Sequence, residues 1–245
     1  MGISSLQALS VVIIIYYAPA TLVTLWICRR CGFGIHFGWL YLVVLSIARV
    51  VGAGLQIAAD ASRGSGITTA AELIASVGVT SLLLAMLEVI DCIKTIAFRP
   101  RDPIPPRCWT CLHLAQYAVF ILYIVGMAIP NDSVSTAASL MVAGIFAVQS
   151  GIAVWLRIRP ESRKCDQRLV TTALLSIPFL AVRVAYGVSL IFVPSDGPWS
   201  ANVTAMALLQ YLMEFVVMGL FLYTGIALFP PKIDRKDSHS EIPMI

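Results

Sequence analysis

Charged side chains lie inside apolar runs long enough to cross a bilayer, and they set the chemistry open to this chain. Arg49 sits in WLYLVVLSIARVVGAGLQIAA and Arg183 in VTTALLSIPFLAVRVAYGVSLIFV, while Glu88 and Glu214 lie on two further runs. A cation at the bilayer centre costs roughly 2.5–3.5 kcal/mol even on the lenient insertion scale, so such residues face a bundle interior or a wet cavity and take a partner. Glu72, Glu88 and Glu214 are the carboxylates on offer, and Glu214 is expected at the depth of Arg183 on the next, antiparallel helix. A carboxylic acid held protonated by burial can pass its proton to an alkene or epoxide. Arginine can orient a second carboxylate or a substrate oxygen. Glu88, Glu214, Arg183 and Arg49 are therefore the candidate catalytic residues. A Glu214 paired with Arg183 stays ionised and donates poorly, which favours Glu88 as the acid. The bland alternative is that the charges simply staple helices together.

Around these residues lie candidates for binding. Gln56 follows Arg49 by about two turns, Tyr186 follows Arg183 by three residues, and Gln210 precedes Glu214 by four. Tyr211 joins them at similar depth, so Gln56, Tyr186, Gln210 and Tyr211 are the candidate substrate-binding residues. The five tryptophans, Trp26, Trp39, Trp109, Trp155 and Trp199, fall near the expected interfaces, as an aromatic belt would.

The elements that must position these groups are legible from hydropathy. The 245 residues are 59% hydrophobic and 12% charged, outside the range of a soluble domain. Seven apolar stretches read at 6–28, 39–59, 70–92, 113–130, 135–156, 170–194 and 203–229. Each approaches the ~20 residues that cross ~30 Å of hydrocarbon. The expected fold is all-α, a seven-helix transmembrane bundle over residues 1–229, followed by a polar tail over 230–245.

Charge sets the expected orientation. Of the 17 Lys and Arg, Arg49 and Arg183 are intramembrane, Arg63 follows the second run, and the remaining 14 all gather at alternate helix ends. The positive-inside rule makes those ends cytosolic, with the N-terminus lumenal or outside and the tail inside. Two sequons, Asn131-Asp-Ser and Asn202-Val-Thr, fall on the lumenal side, so Asn131 and Asn202 are candidate glycosylation sites close to helix ends.

All six cysteines map to the cytosolic side, which argues against disulfides. The pairs Cys28–Cys31 and Cys108–Cys111 read as juxtamembrane thiols open to palmitoylation rather than as a zinc site. His36, His113 and His239 are scattered, and D-D-x-x-D, H-E-x-x-H, G-x-S-x-G and Walker motifs are absent. No metal and no cofactor are expected, and no nucleic-acid partner. The seventh run has no lysine for a retinal Schiff base, and Pro178 is the one clear break at mid-depth.

Three short motifs carry a resemblance: Ala48-Arg49-Val50-Val51-Gly52-Ala53, Pro178 to Gly187 with Arg183 and Tyr186, and Leu212-Met213-Glu214. With them the chain resembles a family of small fungal seven-helix integral membrane proteins of mostly unknown function. In size and helix count it is also similar to the membrane terpene cyclases of fungal meroterpenoid pathways. Their N-x-x-W-E motif is missing here, which would place the chain in a divergent branch. The resemblance implies a metal-independent, protonation-initiated cyclisation of a prenylated or epoxy-prenylated substrate in the endoplasmic reticulum membrane. The hydrophobic prenylated small molecule and the lipid bilayer would be its partners. The competing class is a non-enzymatic sensor, lipid translocator or small-solute transporter that uses the same buried charges.

Overall fold

A computed structural model describes residues 5–31, 38–62, 65–98, 105–128, 132–159, 167–192 and 203–228. Among them, regular structure is entirely helical. In chain order come α1 (Ser5–Cys31), α2 (Gly38–Ser62), α3 (Ser65–Phe98), α4 (Pro106–Ala128), α5 (Asp132–Ile158) and α6 (Gln167–Phe192). A seventh rod joins α7 (Val203–Met206), a π-helical segment (Ala207–Leu212) and α8 (Met213–Leu228) without interruption. Six of the rods are long and apolar enough to cross a membrane, the mark of a multi-pass integral membrane protein. The remaining one, α3, has 34 residues but carries Glu88, Asp91 and Lys94 close together in its C-terminal half.

The helices outrun the apolar stretches. α3 extends beyond 70–92 at both ends, and α4 begins at Pro106 rather than 113. Hydropathy sees only the hydrocarbon-length part of a helix, whereas the backbone stays internally bonded into the polar zone. Proline suits the first turn because its missing N–H would have no intrahelical acceptor there. Thr110 then returns its hydroxyl to the Pro106 carbonyl at 3.0 Å. Two prolines, Pro19 in α1 and Pro178 in α6, sit inside continuous helices. Pro19 and the π segment are thus irregularities additional to the single break expected.

α3 is the axis of the bundle. It packs against α2 along much of its length and also meets α4, α5, α6 and α8, while α1 closes against α2 and α8. Residues 78–87 of α3 are buried on every side, as befits a helix that is apolar all round. The outer helices instead turn large apolar side chains outward, among them Ile15, Leu22, Leu114 and Ile121. Those faces are built for lipid.

Small residues let the helices approach. A β-carbon on Gly38 would lie 2.7 Å from Cβ of Glu88, and one on Gly225 would lie 2.6 Å from the Trp39 ring. Apolar helices in lipid gain little from hydrophobic burial against each other, so close packing and interhelical hydrogen bonds must hold them. Gln149 donates Nε2 to Oε1 of Gln116 at 3.0 Å, tying α5 to α4. The hydroxyls of Thr172 and Thr224 meet at 2.5 Å, tying α6 to α8, and those of Tyr41 and Tyr117 tie α2 to α4.

Candidate functional site

The central feature is a carboxylate gripped by two guanidiniums. Nη2 of Arg49 donates to Oε1 of Glu214 at 2.6 Å, and Nε of Arg183 donates to the same oxygen at 2.9 Å. All three residues are buried: Glu214 is 0% exposed, Arg49 3% and Arg183 4%. The expected Arg183–Glu214 pair is present, and Arg49 on α2 joins it. One acid therefore ties α2, α6 and α8 together.

Local structure explains the convergence. Glu214 stands in the first turn of α8, just past the π segment. Such one-turn widenings are frequent at functional sites. Tyr211, in that segment, lies under Arg49 with the guanidinium carbon 5.1 Å from its ring centroid. From α1, Tyr16 stacks on Phe215 at 4.3 Å and donates its hydroxyl to the Phe215 carbonyl at 2.7 Å. Tyr17 meets both rings edge-on, at 5.2 and 5.4 Å, and is 0% exposed. Tyr211 thus lies against the cluster itself, and Tyr17 packs on Phe215, the neighbour of Glu214. Tyr16, Tyr17 and Gly78 were not singled out from sequence. Two adjacent tyrosines in mid-run were the available signal for the first two.

The cluster is incompletely satisfied. Oε2 of Glu214, Nε of Arg49 and the Tyr17 hydroxyl are buried with no hydrogen-bond partner. Buried polar groups nearly always find partners, and each exception calls for an explanation.

Glu88 lies apart. Its Oε1 is 3.9 Å from Nδ1 of His113, and its side chain is partly exposed. The surrounding end of the bundle holds the Asp91–Lys94 pair at 3.2 Å, with Nζ of Lys94 4.3 Å above the Trp109 ring. The two candidate acids thus belong to different environments. Glu214 is locked between cations, while Glu88 has only an imidazole beside it among ion-pair partners in the described residues. Gln56 and Gln210 are half-buried on α2 and the π segment. The side chains of Asp60 and Glu72, the sequons at Asn131 and Asn202 and the tail lie outside the described residues.

No cluster of three or more His, Cys, Asp or Glu able to hold a metal occurs among the described residues. The cluster offers two fixed guanidiniums, one carboxylate and the Tyr211 ring in buried surroundings.

A comparison with curated proteins finds no match. The model of a domain of unknown function, DUF7702, matches residues 3–230, nearly the entire chain, and the protein belongs to that family.

Proposed function

We propose that this protein binds a hydrophobic small molecule within the bilayer through an oxygen-bearing head group, as a lipid translocator, sensor or small-solute transporter. The observation that carries this reading is the Arg49–Glu214–Arg183 cluster with its unpaired Oε2, Nε and phenol hydroxyl. A structural staple needs only one cation for one carboxylate. Two cations on one acid, with the Tyr211 ring against Arg49, supply what a head group needs while apolar surroundings take its chain. The direct test is native mass spectrometry of the full chain released from mildly solubilised membranes. An adduct of constant mass that disappears in Arg49→Gln supports the reading; an adduct-free wild-type protein counts against it.

Glu88 supports a second reading, the metal-independent terpene cyclase. It is an acid without an arginine partner among the described residues, so it could deliver a proton to a prenyl alkene or epoxide. The excess positive charge at Arg49 and Arg183 would oppose a carbocation there, which favours protonation at the Glu88 end of the bundle in this reading. Expression in a fungal host fed a farnesylated phenol and its terminal epoxide tests this. A cyclic isomer of unchanged mass, lost in Glu88→Gln, establishes the enzyme, and unchanged substrate with folded protein in the membrane removes it.

On the charge bias the N-terminus is lumenal and the tail cytosolic, in the endoplasmic reticulum. A glycosidase-sensitive mass shift abolished by Asn131→Gln or Asn202→Gln would support that orientation.

A further inference from the structure

We infer that the head group recognised at the buried cluster is a single negative charge, the carboxylate of a long-chain amphiphile; this rests on the head-group reading above. Arg49 and Arg183 bring two positive charges and Glu214 one negative, so the cluster carries one uncompensated positive charge. Among the described residues no second carboxylate forms an ion pair with either arginine. An unbalanced charge in a low-dielectric interior is the costliest arrangement open to a membrane protein, and one further negative charge removes it.

The unmet groups specify the ligand further. Nε of Arg49 is an idle donor, and the Tyr17 hydroxyl can donate as well; both are buried and both suit a carboxylate oxygen, whereas Oε2 of Glu214 is an idle acceptor that a carboxylate does not serve, so the choice of an acid rests on the charge. A neutral alcohol or epoxide would occupy those donors and leave the excess charge in place. A doubly charged phosphate would overshoot it. The ligand's remainder is apolar by position: Arg49 and Glu214 lie well inside spans Gly38–Ala59 and Thr204–Ala227, far from either end. A small hydrated anion would have to leave its water to reach them.

The test uses the full chain in detergent with radiolabelled hexadecanoate, displaced by unlabelled hexadecanoate, hexadecan-1-ol or chloride. The wild type is expected to prefer the acid over the alcohol by about tenfold or more. Arg183→Gln keeps the neutral Arg49–Glu214 pair and should bring the two within about twofold, chiefly by weakening the acid. Retained alcohol binding in that variant shows that it is folded. Equal potency of acid and alcohol in the wild type overturns the charge assignment while leaving the head-group site standing. Full displacement by millimolar chloride overturns the amphiphile. Saturable binding of neither acid nor alcohol overturns both this inference and the reading it rests on.

Discussion

Gly78 on α3 lies directly beneath the Arg49 guanidinium. A β-carbon built there would sit 2.0 Å from Nη2 and 2.7 Å from Cζ of Arg49, and 3.0 Å from Oε1 of Glu214. The central helix therefore shapes the charged cluster by what it lacks. The arginine occupies the space of a missing methyl group, and it cannot swing aside freely because its Nη2 is held by the carboxylate.

Gly78→Ala should consequently pry the pair apart. Overpacking of this kind costs about 1–3 kcal/mol. Gly54 on α2 is the matched control, since its β-carbon would meet nothing within 4 Å. Gly54→Ala should leave stability unchanged or raise it slightly, because alanine is the better helix former. Thermal unfolding of both variants in the same detergent checks the contrast. Equal melting temperatures would mean that Arg49 has room to move.

Part of the framework was legible in the sequence, and the reason is physical. A bilayer permits few architectures, so length and hydropathy gave the all-helical class and the membrane-length helices, and Arg183 and Glu214 announced themselves as charges that lipid cannot host alone. Three things were not legible. The alliance of Arg49 with the same carboxylate depends on which faces of α2 and α8 meet across α3, and no local pattern encodes that. Gly78 reads as one more small residue in a helix, because its role is the space it leaves for a side chain from another. The π segment at Ala207–Leu212 has no composition of its own, being ALLQYL. Glu88 showed the converse: it looked like a partner for the arginines by type and depth, and its helix face points it to His113.

The two cations on Glu214 predict an order of damage. Glu214→Gln strands both guanidiniums, and breaking a buried pair by removing one partner costs about 3–5 kcal/mol. Arg183→Gln loses one charged hydrogen bond, worth about 1.5–3 kcal/mol, but leaves a neutral Arg49–Glu214 pair. Unfolding in mixed micelles by increasing SDS should therefore rank Glu214→Gln well below Arg183→Gln. The reverse order would show that Arg183 is the structural linchpin and that the carboxylate is dispensable.

Tyr16 offers a lighter probe of the same region. Its hydroxyl reaches the Phe215 carbonyl at 2.7 Å and would lie 3.4 Å from a β-carbon on Gly219. Tyr16→Phe keeps the ring stacked on Phe215 and removes only that bond, for a loss of about 0.5–1.5 kcal/mol. Amide exchange along α8 should quicken near Phe215 and stay unchanged in α4 and α5. A uniform change across the bundle would instead mean that the hydroxyl supports the whole fold.

Gln116 and Gln149 pose the cleanest energetic question. Both are fully buried, they share one hydrogen bond, and Nε2 of Gln116 and Oε1 of Gln149 have no partner. Replacing one glutamine by leucine strands the other amide, a cost of about 1–3 kcal/mol. Replacing both removes every unmet group and puts apolar atoms where lipid-facing helices already pack well. Interhelical hydrogen bonds in membranes average only about 0.6 kcal/mol by double-mutant cycle, so little is lost with the bond itself. The double variant Gln116→Leu/Gln149→Leu should thus be at least as stable as the wild type, while each single variant is weaker. A double variant that melts below both singles would show that the glutamine pair specifies the register of α4 against α5, a role that leucines of similar size cannot take over.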